Sequence, residues 1–71
     1  MYELHKFGEA IEALRTGKTI KRQIWDGAKL DYVPESGDNL ESIAVTLWNG
    51  RRVIGWNPTI EDLFSADWII Q

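Results

Sequence analysis

Cysteine is absent from the 71 residues, and histidine and methionine occur once each. Without thiols there are no disulfides and no thiolate metal centres, and one histidine cannot build a histidine-rich metal cluster. Nucleophilic triads also have nothing to start from, because the only histidine, His5, reads as a surface side chain near a helix start. That leaves scattered carboxylates, so an enzyme is not expected. No apolar run reaches the roughly 18 residues of a membrane span. The amphipathic opening does not read as a signal peptide, and the expectation is a soluble, intracellular protein. Basic residues number 8 against 11 acidic ones, for a net charge of −3. This disfavours a binder of long nucleic acid but leaves room for a local basic pocket holding a small anion.

The length predicts a single domain over 1–71. A chain of about 60 residues buries only about 60% of its unfolded surface, so this one sits near the limit of independent stability. With disulfides and metal clusters excluded, oligomerisation is the remaining staple.

What the chain does have is tryptophan, and three of the four fall in its last third, at Trp48, Trp56 and Trp68. Asn49-Gly50 between two β-rich runs predicts a hairpin with a two-residue type I′ turn. That turn sets Trp48 opposite Arg51, Val45 opposite Ile54 and Ile43 opposite Trp56. One face would then carry Ile43, Val45, Leu47, Ile54 and Trp56, and the other Ala44, Thr46, Trp48, Arg51 and Val53. Both faces are apolar enough to need cover.

Phe7, Ala10, Ile11 and Leu14 recur at helical spacing and predict a helix at about 6–16, stopped by Gly17. Lys18 to Trp25 reads as a strand with Ile20 and Ile24 on one side and Thr19, Lys21, Gln23 and Trp25 on the other. Arg22 interrupts the apolar side and must reach an edge or an anion. Asp26-Gly27 gives a turn, Leu30 to Val33 a second strand, and 35–39 a mobile loop after Pro34. Thr59 followed by Asp62 predicts a capping box over one helical turn that Leu63 and Phe64 bury. Trp68 and Ile70 then begin a closing strand. The fold class is α+β: one N-terminal helix on an antiparallel sheet of four to five strands, with a short helical turn before the last.

Lys18, Lys21, Arg22 and Lys29 cluster around Trp25. Such cations suit phosphate, and a tryptophan offers a flat face for a nucleobase. The same residues also fit a solvated strand face with Trp25 plugging the core. Asp67 reads either as a tie for the turn before Trp68 or as an acceptor for a ligand ribose.

Two ordered blocks carry a resemblance. Phe7-Gly8-Glu9-Ala10-Ile11-Glu12-Ala13-Leu14, then Gly17-Lys18, Arg22 and Trp25-Asp26-Gly27, resemble the opening of the second type of phage Thoeris anti-defence protein. Trp56-Asn57-Pro58-Thr59, Asp62-Leu63-Phe64-Ser65 and Asp67-Trp68 are similar to its close. The resemblance implies a phage sponge that binds a small cyclic nucleotide, a cyclic ADP-ribose isomer or a cyclic oligonucleotide, without turnover and without a cofactor or metal. It also implies a homodimer or homotetramer in the cytoplasm of the infected bacterial host, with no membrane or long nucleic acid as partner. Trp25 matches the tryptophan that packs near the nucleotide in that family. The candidate ligand-binding set is Trp25, Lys21, Arg22, Asp26, Phe7, Trp56, Asn57 and Asp67. Two departures stand out: the middle, Pro34 to Ser42, is short, and Asp26 replaces the usual asparagine. The alternative function is a protein–protein module that docks a host protein through Trp48 and Arg51, both typical hot-spot residue types.

Overall fold

The computed structural model describes residues 3–71. Helix α1 (Phe7–Arg15) leads into strands β1 (Ile20–Arg22), β2 (Lys29–Val33), β3 (Ser42–Thr46) and β4 (Arg52–Ile54). A short helix α2 (Ile60–Phe64) precedes β5 (Trp68–Ile70). The five strands form one antiparallel sheet in the order β4-β3-β2-β1-β5. This is the α+β arrangement expected.

The helix starts where the Lys6 amide donates to Glu9 Oε1 at 3.3 Å. It ends in a Schellman motif, with Gly17 at φ 101° and the amides of Gly17 and Lys18 donating to Leu14 and Ala13 carbonyls. Glycine takes that left-handed φ without a Cβ clash. Ala10 and Leu14 face the sheet and are fully buried beside Ile20, Leu30 and Trp68. Phe7 and Ile11 pack against the same cluster. Strand alternation puts Ile20, Arg22, Leu30, Tyr32, Ile43, Val45, Trp68 and Ile70 on the helix-covered face.

The hairpin differs from its sequence reading by one residue. Thr46 pairs with Arg52, Val45 with Val53 and Ala44 with Ile54. A type I′ turn needs positive φ at both central positions, and no non-glycine residue among those described adopts one. Instead Trp48-Asn49-Gly50 forms a three-residue loop closed by Leu47. The Gly50 amide donates to the Leu47 carbonyl, Gly50 takes φ 85°, and Asn49 Oδ1 accepts from the Arg51 amide at 3.0 Å. Val53 therefore shares the Val45 face, and Ile54 moves to the open face. Both are exposed.

The register is then restored. The amides of Gly55 and Trp56 both donate to the Ile43 carbonyl, at 3.0 and 2.8 Å, with Gly55 at φ 96°. This bulge inserts one residue, so Trp56 stands opposite Ile43 on the helix face as the sequence implied.

Three further expectations change. β1 stops at Arg22, whose carbonyl accepts from the Trp25 amide at 3.0 Å, so the alternation read through Trp25 ends in a turn. Residues 35–39, read as a mobile loop, are closed into a tight turn by paired Ser36–Asn39 backbone bonds of 3.0 and 2.9 Å around Gly37. The α2 capping box forms, but Leu63 and Phe64 do not bury it, Phe64 being 85% exposed. Asp62 is the buried side chain of that helix instead. No helix among the described residues is long and apolar enough to cross a membrane.

Candidate functional site

The sheet end nearest α2 is held by an ion cluster. Arg22 is 6% exposed. Its Nε donates to Asp67 Oδ1 at 3.0 Å, and its Nη1 donates to Asp62 Oδ1 at 3.1 Å and Glu61 Oε1 at 3.3 Å. The bonds to Asp67 outweigh burial and raise the guanidinium above its ordinary value. Burial alone would raise the Asp62 carboxyl. The Thr59 amide and hydroxyl, together with Arg22, more than offset it, holding Asp62 below the usual carboxylate range. Of the edge or anion that Arg22 was expected to reach, the structure shows an anion, supplied by its own chain.

Above this cluster stand three tryptophans. Trp68 is fully buried, and its indole N–H donates to the Asp62 carbonyl at 3.1 Å. Trp25 lies edge-on to Trp68, with centroids 5.3 Å apart at 81°, and edge-on to Trp56 at 6.0 Å and 74°. Trp56 and Trp68 lie 6.4 Å apart at 82°. Such perpendicular packing suits the ring quadrupoles and fixes each indole plane.

Trp56 divides the helix-side surface into two cavities. The larger, about 470 Å³ and wide open, is lined by Ile24, Trp25, Asp26, Ala28, Val45, Leu47 and Trp56. Between Asp26 and Ala28 the chain turns tightly: Gly27 takes φ 82°, and a Cβ there would come within 2.9 Å of the Trp48 Cβ. The second cavity, about 340 Å³ and more enclosed, lies between the C-terminal half of α1 and the 55–58 segment. Both volumes fall in the range of small-molecule sites.

Of the candidate residues, the structure brings Trp25, Asp26 and Trp56 together in the open cavity. Asn57 joins Trp56 in the second, where its amide also donates to the Gly55 carbonyl at 3.3 Å. Phe7 sits in the core with its ring 5.3 Å from Trp68. Arg22 and Asp67 bond one another. Lys21 pairs with Ile69 and so lies on the open sheet face, away from Trp25. The expectation that Lys21 and Trp25 share a strand face is corrected, because the turn after Arg22 carries Trp25 back over the helix side. Lys29 also falls on the open face, so these two lysines do not converge on the tryptophans within one chain. Sequence reasoning missed Arg15, Tyr32 and Glu41 in the second cavity. They stand on three separate elements or loops, and no local motif links them.

No group of His, Cys, Asp and Glu suited to a metal ion occurs among the described residues. No curated protein matches the chain. The profile of the Tad2-like family, described as a Thoeris anti-defense 2-like domain, matches residues 5–71, which take in both tryptophan-walled cavities and the whole sheet. The chain therefore belongs to the Thoeris anti-defense 2-like family.

Proposed function

We propose that this protein counters Thoeris defence by binding a small cyclic nucleotide, a cyclic ADP-ribose isomer or a cyclic oligonucleotide, and holding it without turnover. The observation that carries this reading is the open cavity walled by Trp25 and Trp56, whose indoles are fixed at right angles through Trp68. One indole can take a base by stacking while the other closes its edge. Asp26 in the same cavity favours ribose hydroxyls, which donate to it, over phosphates, which it repels. The phosphates then point outward, where Lys21 reaches them only from a neighbouring subunit. A homo-oligomer in the cytoplasm of the infected host is part of this reading.

The test is direct. Protein incubated with cyclic ADP-ribose isomers and cyclic dinucleotides should release intact ligand on heating. A ligand at about 100 times its Kd should add roughly 2.7 kcal/mol to stability. Trp25→Ala should weaken binding by about 1–3 kcal/mol through loss of stacking. A cleaved product would overturn sequestration, and unchanged binding by Trp25→Ala would overturn the cavity assignment.

One observation favours the second reading, docking to a host protein. Trp48 is 79% exposed at the hairpin tip, beside the exposed Arg51. The two readings separate on Trp48→Glu. If Trp48 and Val53 are covered by another copy, the variant should fall to about 8.2 kDa by light scattering. A wild type that is itself monomeric at micromolar concentration would leave the tip to a host partner.

A further inference from the structure

Asn49-Gly50 stands at the hairpin tip with both residues exposed, flanked by exposed Trp48 and Arg51. Asn49 Oδ1 accepts from the Arg51 amide at 3.0 Å, which folds the side chain back along the chain. The ring closed by that bond passes through the Gly50 nitrogen, so the side-chain carbonyl carbon is held close to it. The Arg51 N–H also sits where negative charge collects on Oδ1 when that carbon is attacked. Gly50 has no side chain to screen the approach. One bond opposes it: the Gly50 amide donates to the Leu47 carbonyl at 2.9 Å. That bond lies in an exposed loop tip, where local opening costs least.

We propose that Asn49-Gly50 is a self-modification site, at which the protein converts its own asparagine to aspartate and isoaspartate. The Gly50 nitrogen gives its proton to hydroxide and attacks Asn49 Cγ. The Cγ–Nδ2 bond breaks, and Nδ2 leaves as ammonia with a proton from water. The resulting cyclic imide takes up one water. Opening at the side-chain carbonyl gives aspartate, and opening at the main-chain carbonyl gives isoaspartate. Amide plus water becomes carboxylic acid plus ammonia, with nothing oxidised or reduced. The cyclic-nucleotide reading neither needs nor implies this reaction.

The products alter the tip. The net charge of −3 becomes one unit more negative, beside exposed Arg51 and Arg52. Isoaspartate also routes the main chain through Cβ. That lengthens a loop closed by the Leu47–Gly50 and Leu47–Arg51 backbone bonds. Trp48 belongs to this loop, and its Cα and Cβ lie so close to Gly27 that no Cβ fits there. The change therefore reaches the turn between Asp26 and Ala28.

The other two asparagines are controls within the same molecule. Asn57 precedes Pro58, whose nitrogen has no proton to lose, and Asn39 precedes Leu40, whose side chain screens the approach. Wild-type protein is held warm in mildly alkaline buffer, and its peptides are mapped by mass. The amide-to-acid mass gain should appear at Asn49 at least about tenfold faster than at Asn39. Its rate should rise roughly tenfold per pH unit, because the attacking nitrogen is the deprotonated one. An isoaspartate methyltransferase should label the aged protein, and the Gly27 and Ala28 amide shifts should move with the conversion. Asn49→Gln, which would have to close a larger ring, should remain unconverted at that position. Equal rates at Asn49 and Asn39, or a rate independent of pH, would overturn the proposal. Conversion with unmoved Gly27 and Ala28 shifts would overturn the coupling to that turn. The comparison among asparagines is made on wild-type protein, so poor folding of Asn49→Gln leaves the test intact.

Discussion

Arg22→Met is expected to cost about 3–5 kcal/mol of stability at neutral pH, because it strips the cation from buried Asp62 and part-buried Asp67. Small domains hold roughly 0.05–0.15 kcal/mol per residue, so the 71 residues have about 4–11 kcal/mol in all. The loss is therefore a large share of the total. It arises less from a missing attraction than from the carboxylates left behind without water. The pH dependence separates these causes. Asp62 is held below its ordinary value in the folded state, so its contribution is present above about pH 3.9 and is lost as pH falls through the folded value. In Arg22→Met the same carboxyl has lost its cation and titrates higher. Acid then neutralises the stranded charge in the variant while removing the bond in the wild type. The gap between the two urea midpoints should narrow below about pH 4. A gap that stays constant down to pH 3 would show that Arg22 acts by packing its stem, not by its charge.

This cluster also shows where sequence reasoning reached and where it stopped. That Arg22 must reach an edge or an anion followed from a charge set between Ile20 and Ile24 on an apolar side. That the anions would be Asp62 and Asp67, some forty residues away, had no local sign, because β5 beside β1 is a long-range pairing. The helix was readable for the opposite reason: Phe7, Ala10, Ile11 and Leu14 repeat within one element, and Gly17 marks its stop. The hairpin lay between the two cases. Asn49-Gly50 correctly announced a turn, yet Asn49 satisfies itself by accepting from the Arg51 amide, which favours the three-residue loop. The resulting one-residue shift exchanged the faces of Val53 and Ile54. The bulge at Gly55 then undid it, so Trp56 reached its expected face by an unexpected route. Of the residues lining the open cavity, Trp25, Asp26 and Trp56 were named from residue type and family resemblance. Arg15, Tyr32 and Glu41 were not, since only the folded sheet places them at one mouth.

Trp68→Ala should be the most damaging single truncation, at about 3–5 kcal/mol, with loss of the proposed ligand binding wherever the fold survives. Trp68 is the largest fully buried side chain, and it touches Phe7, Trp25 and Trp56 at centroid distances of 5.3, 5.3 and 6.4 Å. Removing it opens a void beneath both cavities and releases the two indoles that wall the open one. Trp68→Phe isolates a second effect. It keeps much of the volume but leaves the buried Asp62 carbonyl without the indole N–H, at about 1–3 kcal/mol. The expected order of urea midpoints is therefore wild type, then phenylalanine, then alanine. The near-ultraviolet dichroism that reports fixed tryptophan geometry should follow the same order. Cyclic-nucleotide binding should fall further in Trp68→Ala than in Trp25→Ala, because the first loosens both walls and the second deletes one. If Trp68→Ala keeps the wild-type midpoint, the tryptophan cluster is not what holds the sheet to its helix. If it loses stability but binds undiminished, Trp25 and Trp56 are held by something other than the ring between them.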